Sequence, residues 1–222
     1  MKIGLISDIH SNAIALEAVL KNMGDVDAIV CAGDVVGYNP YPNETIELLK
    51  KYNVKCVMGD HDKAVISGDI EWFNHMTADT LKWTIKHLTR ENLDYLKHLP
   101  DHIDVDGMTI YHGHPGNIKD FAFEYEPEKL CGIFEAVDHH QVFTFGHTHI
   151  PLLKECGDKT VLNPGSVGQP RDGNNQASYA IWDTEKHTFD IKRIDYDYKK
   201  VQAKIHEVGL PDLMAERLNY GK

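Results

Sequence analysis

The chain has no apolar run approaching the ~18 residues that cross a bilayer, so no membrane span is expected. Its opening, Met1-Lys2-Ile3-Gly4-Leu5-Ile6-Ser7-Asp8, meets a carboxylate after too few apolar residues for a secretory signal. Cysteine is scarce: Cys31, Cys56, Cys131 and Cys156 stand far apart, with no CxxC pair. That pattern argues against a zinc ribbon or a disulfide framework and predicts buried, reduced thiols. Positive charge is also short, with 23 Lys and Arg against 34 Asp and Glu and a formal net charge of −11. The longest basic runs are pairs such as Lys50-Lys51, so a footprint for a nucleic-acid polymer is missing. No GxxxxGK[ST] occurs, which excludes a P-loop nucleotide hydrolase. No G-x-S-x-G supports a serine hydrolase. The expectation is a cytoplasmic protein with neither a membrane nor a nucleic-acid polymer as partner.

What is present is an ordinary globular composition, 42% apolar over 222 residues. At roughly 100–200 residues per domain, and with no linker, repeat or composition break, residues 1–222 read as a single domain. The first 60 residues alternate short apolar runs with amphipathic stretches. Ile3–Ile6, Ala28–Cys31 and Val54–Met58 read as strands. Residues 12–23 and 42–52 read as helices, the second opened by Pro42. This βαβαβ order with continuous apolar strands predicts a parallel sheet covered on both faces. Residues 63–100 read as a helical insert, with Leu81, Ile85 and Leu88 on one face and Thr89 as a cap. From residue 102 strands dominate, beginning with a hairpin turned by Asp106-Gly107. A short helix is predicted over 127–137 and a helical tail over 198–218. His139-His140 read as a surface turn. Asp195-Tyr196-Asp197-Tyr198 lacks the Gly and the final Glu of a calcium loop.

Five segments carry the chemistry: Asp8-Ile9-His10, Gly33-Asp34, Gly59-Asp60-His61, His112-Gly113-His114 and Gly146-His147-Thr148-His149. Each follows an apolar run, where a strand leaves the sheet, and open α/β sheets bind ligands at such ends. In extended chain, residues i and i+2 project to one side, so Asp8 with His10 and His147 with His149 are expected to present two donors each. Carboxylates with imidazoles form a donor set for divalent transition metals, without the thiolates of a structural zinc site. Taken singly, such an Asp is as readily a turn residue, and such a His a hydrogen-bonded core residue. Five in one order are hard to explain that way.

The ordered set D-x-H, G-D, G-x-H, H and G-H-x-H is similar to the signature of the calcineurin-like metallophosphoesterase superfamily, over residues 3–182. Asn163-Pro164-Gly165-Ser166-Val167-Gly168-Gln169-Pro170-Arg171 and Gly33-Asp34-Val35-Val36-Gly37-Tyr38 resemble its small bacterial and archaeal phosphodiesterase branch. The resemblance implies an α/β fold in which a two-sheet sandwich is flanked by helices, four layers ordered α/β/β/α. It also implies two divalent metal ions about 3.5 Å apart. Asp34 would bridge them; Asp8, His10 and His149 would complete one site, and Asp60, His112 and His147 the other. A bridging hydroxide would attack phosphorus in line with the leaving oxygen, and His61 would be the leaving-group acid or transition-state donor. The family has Asn where this chain has Asp60, which adds a negative charge.

Manganese leads the candidate metals, with Fe, Zn, Ni or Co fitting the same donors. Arg171 and His114 are weaker candidates for substrate contact, and Tyr38, Tyr41 and His75 for lining the cleft. The implied function is a phosphodiesterase acting on a small soluble phosphoester. Phosphomonoesterase, phosphoprotein phosphatase and dinucleoside polyphosphate hydrolase are alternatives at the same phosphoryl centre. A non-catalytic scaffold on this fold is the alternative from another class. Scaffold descendants lose motif histidines, whereas His10, His61, His112, His147 and His149 are all present.

Overall fold

The structure is a computed structural model that describes residues 1–115, 127–135 and 140–222. One sheet contains β1 (Lys2–Ile6), β2 (Ala28–Cys31), β3 (Lys55–Cys56), β9 (Ala177–Asp183) and β10 (Thr188–Ile194), in the order β10-β9-β1-β2-β3. β1, β2 and β3 run parallel, as the βαβαβ pattern predicts, and β9 and β10 add on antiparallel. The second sheet orders β4 (His102–Val105), β5 (Met108–Tyr111), β6 (Val142–Thr144), β8 (Lys159–Asn163) and β7 (Leu152–Cys156) as β4-β5-β6-β8-β7. Its β4–β5 hairpin turns at Asp106 and Gly107, both at positive φ, the conformation an Asp-Gly turn adopts.

Period-two alternation assembles the layers. Ile3 and Leu5 of β1 and Val30 of β2 face Met108, Ile110, Val142 and Leu162 of the other sheet, forming an inter-sheet core. The opposite face of the first sheet, with Ile6 and Cys31, packs on Leu16 and Val19 of α1 (Ala13–Asn22) and Ile46 and Leu49 of α2 (Pro42–Lys51). Phe143 and Val161 point outward from the second sheet onto Leu130 of α6 (Pro127–Glu135). Asn12 caps α1 by accepting the Ala15 N–H at 3.1 Å.

The 63–100 segment is helical: α3 (Asp60–Ser67), α4 (His75–His87) and α5 (Arg90–Lys97). Thr89 caps α5 as its sequence predicts, accepting from Asn92. Ile85 does not share the buried face of Leu81; it is exposed, because α4 turns that side to solvent. The tail forms α7 (Tyr198–Glu207) and α8 (Asp212–Arg217), and Asp197 is the cap of α7.

The cysteine expectation holds for half the set. Cys31 and Cys56 are buried thiols on neighbouring strands, but Cys131 and Cys156 form a disulfide joining α6 to the end of β7. A separation of 25 residues hid this pair, because only the packing of α6 on the outer sheet brings the two together. His140 is half-buried, with its Nδ1 2.9 Å from Thr109 Oγ1, so it is tied to β5; His139 lies outside the described residues, as does the end of the helix predicted over 127–137. Among the described residues no helix is long and apolar enough to cross a membrane.

Candidate metal centre

The parallel strands end on one side of the molecule, and the five loops follow those ends. Asp8 lies two residues past β1, Asp34 three past β2, Asp60 four past β3, His112 one past β5, and His147 three past β6. Main-chain hydrogen bonds lock the loops together: Asp8 N–H donates to Gly33 O at 3.0 Å, His10 N–H to Asp34 O at 2.9 Å and Gly146 N–H to His112 O at 2.8 Å.

The residue pairs converge for a different reason from the extended-chain argument. Asp8, His10, Asp34, His147 and His149 all have φ between 47° and 68°. This is the left-handed region, which costs a non-glycine residue about 1–2 kcal/mol. Tight left-handed turns, not strand alternation, aim these side chains inward. Backbone strain concentrated on the chemically active side chains is the pattern of a functional site.

The donor atoms form two clusters, Asp8, His10 and His149, and Asp34, Asp60, His112 and His147, with a third grouping of His10, Asp34 and His61 that overlaps both, all buried. Asp34 joins them, its Oδ2 lying 3.4 Å from His10 Nε2 and 3.4 Å from His112 Nε2. The protonation pattern then tests whether a cation fits. His10 Nδ1 lies 3.2 Å from Val36 O, and His149 Nδ1 lies 2.5 Å from Gln169 O. Carbonyls only accept, so both Nδ1 atoms carry the proton and both Nε2 atoms present lone pairs. Those lone pairs face each other at 3.0 Å. Burial, followed by positive neighbours (His61 first at His10, Arg171 first at His149), pushes both imidazoles well below their usual pKa, so neither supplies a second proton. Two facing acceptors at that distance suit a shared cation.

The second cluster is tied together by imidazole–carboxylate hydrogen bonds. His112 Nδ1 is 2.7 Å from Ala32 O, which turns Nε2 toward Asp60 Oδ1 at 2.9 Å. Burial alone would push the His112 pKa down, but the charge of Asp34 and hydrogen bonds to Asp34 and Asp60 hold it well above the usual imidazole value. Asp34 is pushed well above the carboxylate range by burial and then by the like charge of Asp60. Burial likewise raises Asp8. At Asp60 burial is outweighed by hydrogen bonds from His112 and His147, and its carboxyl sits well below the usual range. Three carboxylates and four imidazoles, all buried and close together, fit divalent cations.

A cavity of about 290 Å³ opens over these clusters, lined by Asp34, Asp60, His61, His147 and His149, by Tyr38, and by Trp72, Phe73, Asn74 and Thr77 from the helical insert. His61 Nδ1 is buried and has no hydrogen-bond partner among the described residues. Burial lowers the His61 pKa to about 3. Arg171 lines the cavity, donating from Nη2 to Tyr38 Oη at 3.2 Å and Gln169 Oε1 at 3.1 Å. The other weaker candidates lie elsewhere. His114 Nδ1 is 2.7 Å from Pro115 O and the ring is not among the cavity's lining residues, Tyr41 lines a separate groove beside α1, and His75 is exposed on α4.

Sequence reasoning passed over the residues that hold the donors. Asp62, fully buried, accepts N–H groups from Val35, Val36 and Gly59 at 3.2, 3.0 and 2.9 Å. Asn163 Nδ2 donates to Gly146 O at 2.8 Å, and Ser166 Oγ donates to Asp8 O at 2.7 Å. Glycine is required at 59, where a Cβ would lie 2.0 Å from Asp34 Oδ1.

Comparison with known proteins agrees with this arrangement. Residues 1–187 match the calcineurin-like phosphoesterase superfamily domain. The chain is 38% identical to the uncharacterized protein MJ0912 of Methanocaldococcus jannaschii, over 99% of this chain and 98% of that one. It is 28% identical to phosphodiesterase YfcE of Escherichia coli, over 83% and 89%. Among solved structures, a metallophosphoesterase from Sphaerobacter thermophilus superposes with a TM-score of 0.89 at 35% identity, covering 100% and 99% of the two chains. The chain therefore belongs to the calcineurin-like phosphoesterase superfamily and is a metal-dependent hydrolase of phosphoesters.

Proposed function

We propose that the protein is a two-metal phosphodiesterase acting on a small soluble phosphoester. The observation that carries this reading is Asp34 Oδ2, equidistant from the imidazoles of two separate donor clusters. Asp8, His10 and His149 would hold one ion, Asp60, His112 and His147 the other, and Asp34 both. Bound there, two divalent ions would supply a water ionised near neutral pH and would neutralise phosphate charge.

The chain's own residues supply the rest. His61 is held neutral by burial, and nearby cations would keep it so. A neutral imidazole suits it to donate a hydrogen bond to a phosphoryl oxygen or the leaving oxygen rather than to act as an imidazolium acid. Tyr38 packs on His61 with ring centroids 4.5 Å apart, which fixes the imidazole plane. Arg171, a planar fork beside the clusters, suits a non-bridging phosphate oxygen.

Manganese is our first choice of metal, and residues 1–222 acting as one domain in the cytoplasm complete the reading. The test is hydrolysis of bis(p-nitrophenyl) phosphate by protein loaded with Mn, Fe, Co, Ni or Zn. Activity is expected with manganese, lost on chelation and restored by readdition. Absence of hydrolysis with every metal, or a binding stoichiometry of one ion per chain, overturns the proposal.

A further inference from the structure

Residues 188–222 lie outside the stretch that matches the family domain, yet their last helix returns to the cavity. α7 and α8 pack through Val201, Ile205, Met214 and Leu218 onto Tyr38, a ring that also lines the cavity. The residues after α8 are joined to the loop that follows Arg171. Gly173 N–H donates to Gly221 O at 3.0 Å, and Asn175 Nδ2 donates to Asn219 O at 3.3 Å. Gly221 has φ +61°, and a Cβ there would lie 2.3 Å from Asn174 O, so only glycine lets the two segments touch.

This docking sets Arg217 in the cavity wall together with Arg171. Arg217 Nε donates to the main-chain oxygen of Lys222 at 2.6 Å, which anchors one edge of the guanidinium. Arg171 keeps a buried Nε with no hydrogen-bond partner among the described residues. Among those residues neither arginine is paired with an Asp or Glu side chain, although the protein as a whole carries a net charge of −11. Burial and then the like charge of Arg171 hold Arg217 below its ordinary pKa.

Both guanidiniums stand in the wall of the cavity that His61, His147 and His149 also line. Two half-buried guanidiniums side by side with no acidic side chain paired to either are costly, and an anion bound between them lowers that cost.

Building on the phosphoesterase reading, we propose that Arg217 and Arg171 form a second anion site, and that the substrate is a phosphoester carrying a further phosphate beside the scissile one. Arg217 is then a specificity-determining residue supplied by the C-terminal helices.

The experiment is isothermal titration of manganese-loaded protein, with manganese in excess, using AMP and α,β-methylene-ADP. These probes differ by one phosphate, and neither binding signal requires turnover. Wild-type protein is expected to bind the diphosphate analogue about tenfold or more tightly than AMP, the worth of one charge-assisted contact. R217Q should bring that ratio below about two, and R217K, which keeps the charge, should retain a higher ratio than R217Q. A wild-type ratio near one overturns the proposal without any variant, and so does an R217Q ratio equal to that of wild type. Failure of the phosphodiesterase reading shows separately, as intact bis(p-nitrophenyl) phosphate, an ester with no second phosphate.

Discussion

Replacing Asp62 with alanine tests whether a residue that touches no substrate sets the geometry of the metal centre. Its carboxylate gathers three main-chain donors from two loops: Val35 and Val36 beside Asp34, and Gly59 beside Asp60. It therefore ties the loop that carries Asp34 to the start of the helix that carries Asp60. In Asp62→Ala those three buried N–H groups lose their acceptor, at about 1–3 kcal/mol each. Relief of the carboxylate's own burial, which raises its pKa in the native state, offsets part of the loss. The expected destabilisation of the metal-free protein is about 3–5 kcal/mol, a large share of the 5–15 kcal/mol typical of a domain. Asp62→Asn keeps one acceptor oxygen and should fall between, at about 1–3 kcal/mol. Urea denaturation in chelator measures both. At a temperature where the variants are folded, manganese affinity should drop about tenfold or more, because the donors lose their fixed spacing. A loss below about 1 kcal/mol in Asp62→Ala, with unchanged manganese affinity, would refute the clamp.

Three further outcomes follow from the same geometry. Asp60→Asn removes one negative charge from the second cluster, so its ion should bind more weakly while turnover per loaded enzyme rises; metal titration and steady-state kinetics that both match wild type remove the argument. Gly59→Ala forces a methyl group to within 2.0 Å of Asp34 Oδ1 and 2.2 Å of the Asp34 nitrogen, so stoichiometric metal binding should be lost, as measured by equilibrium dialysis followed by elemental analysis. Reducing the Cys131–Cys156 bridge, which closes a 25-residue separation, should lower stability by about 3 kcal/mol; superimposable urea curves with and without reductant would show that the bridge constrains nothing.

Much of this organisation can be read from residue order. Continuous apolar runs at Ile3–Ile6 and Ala28–Cys31 specify buried parallel strands, because no water-facing face has to be kept polar. The donor set is legible because Asp or His recurs just past five strand ends, those of β1, β2, β3, β5 and β6. The means of convergence was not legible: the i, i+2 rule assumed extended chain, whereas Asp8, His10, His147 and His149 sit in left-handed turns, which Asp and His enter more readily than most residues but which remain uncommon for either. Asp62 was hidden because its partners are main-chain N–H groups far along the chain, which leave no side-chain pattern. Arg217 was hidden for a related reason. Its role depends on how α8 docks against Tyr38, and docking of a tail helix has no local signature. His114 shows the opposite error, since spacing two residues from His112 does not aim its ring into the cavity.

Charge balance links the two proposals. Asp8, Asp34 and Asp60 carry three negative charges when ionised, so two divalent ions leave a net charge of about +1 at the centre. In the protein without ions, burial holds Asp8 and Asp34 above the usual carboxylate range. Loading with metal should therefore release protons, and the heat of binding should vary with the ionisation enthalpy of the buffer. With the ionised water of the proposed mechanism counted, the centre would be about neutral, and with Asn in place of Asp60 about +1. Such a centre has little positive charge left for a second phosphate, which has to be answered elsewhere. Arg171 and Arg217 are the cations in the cavity wall that can do so, which ties the proposed outer anion site to the charge of the metal centre.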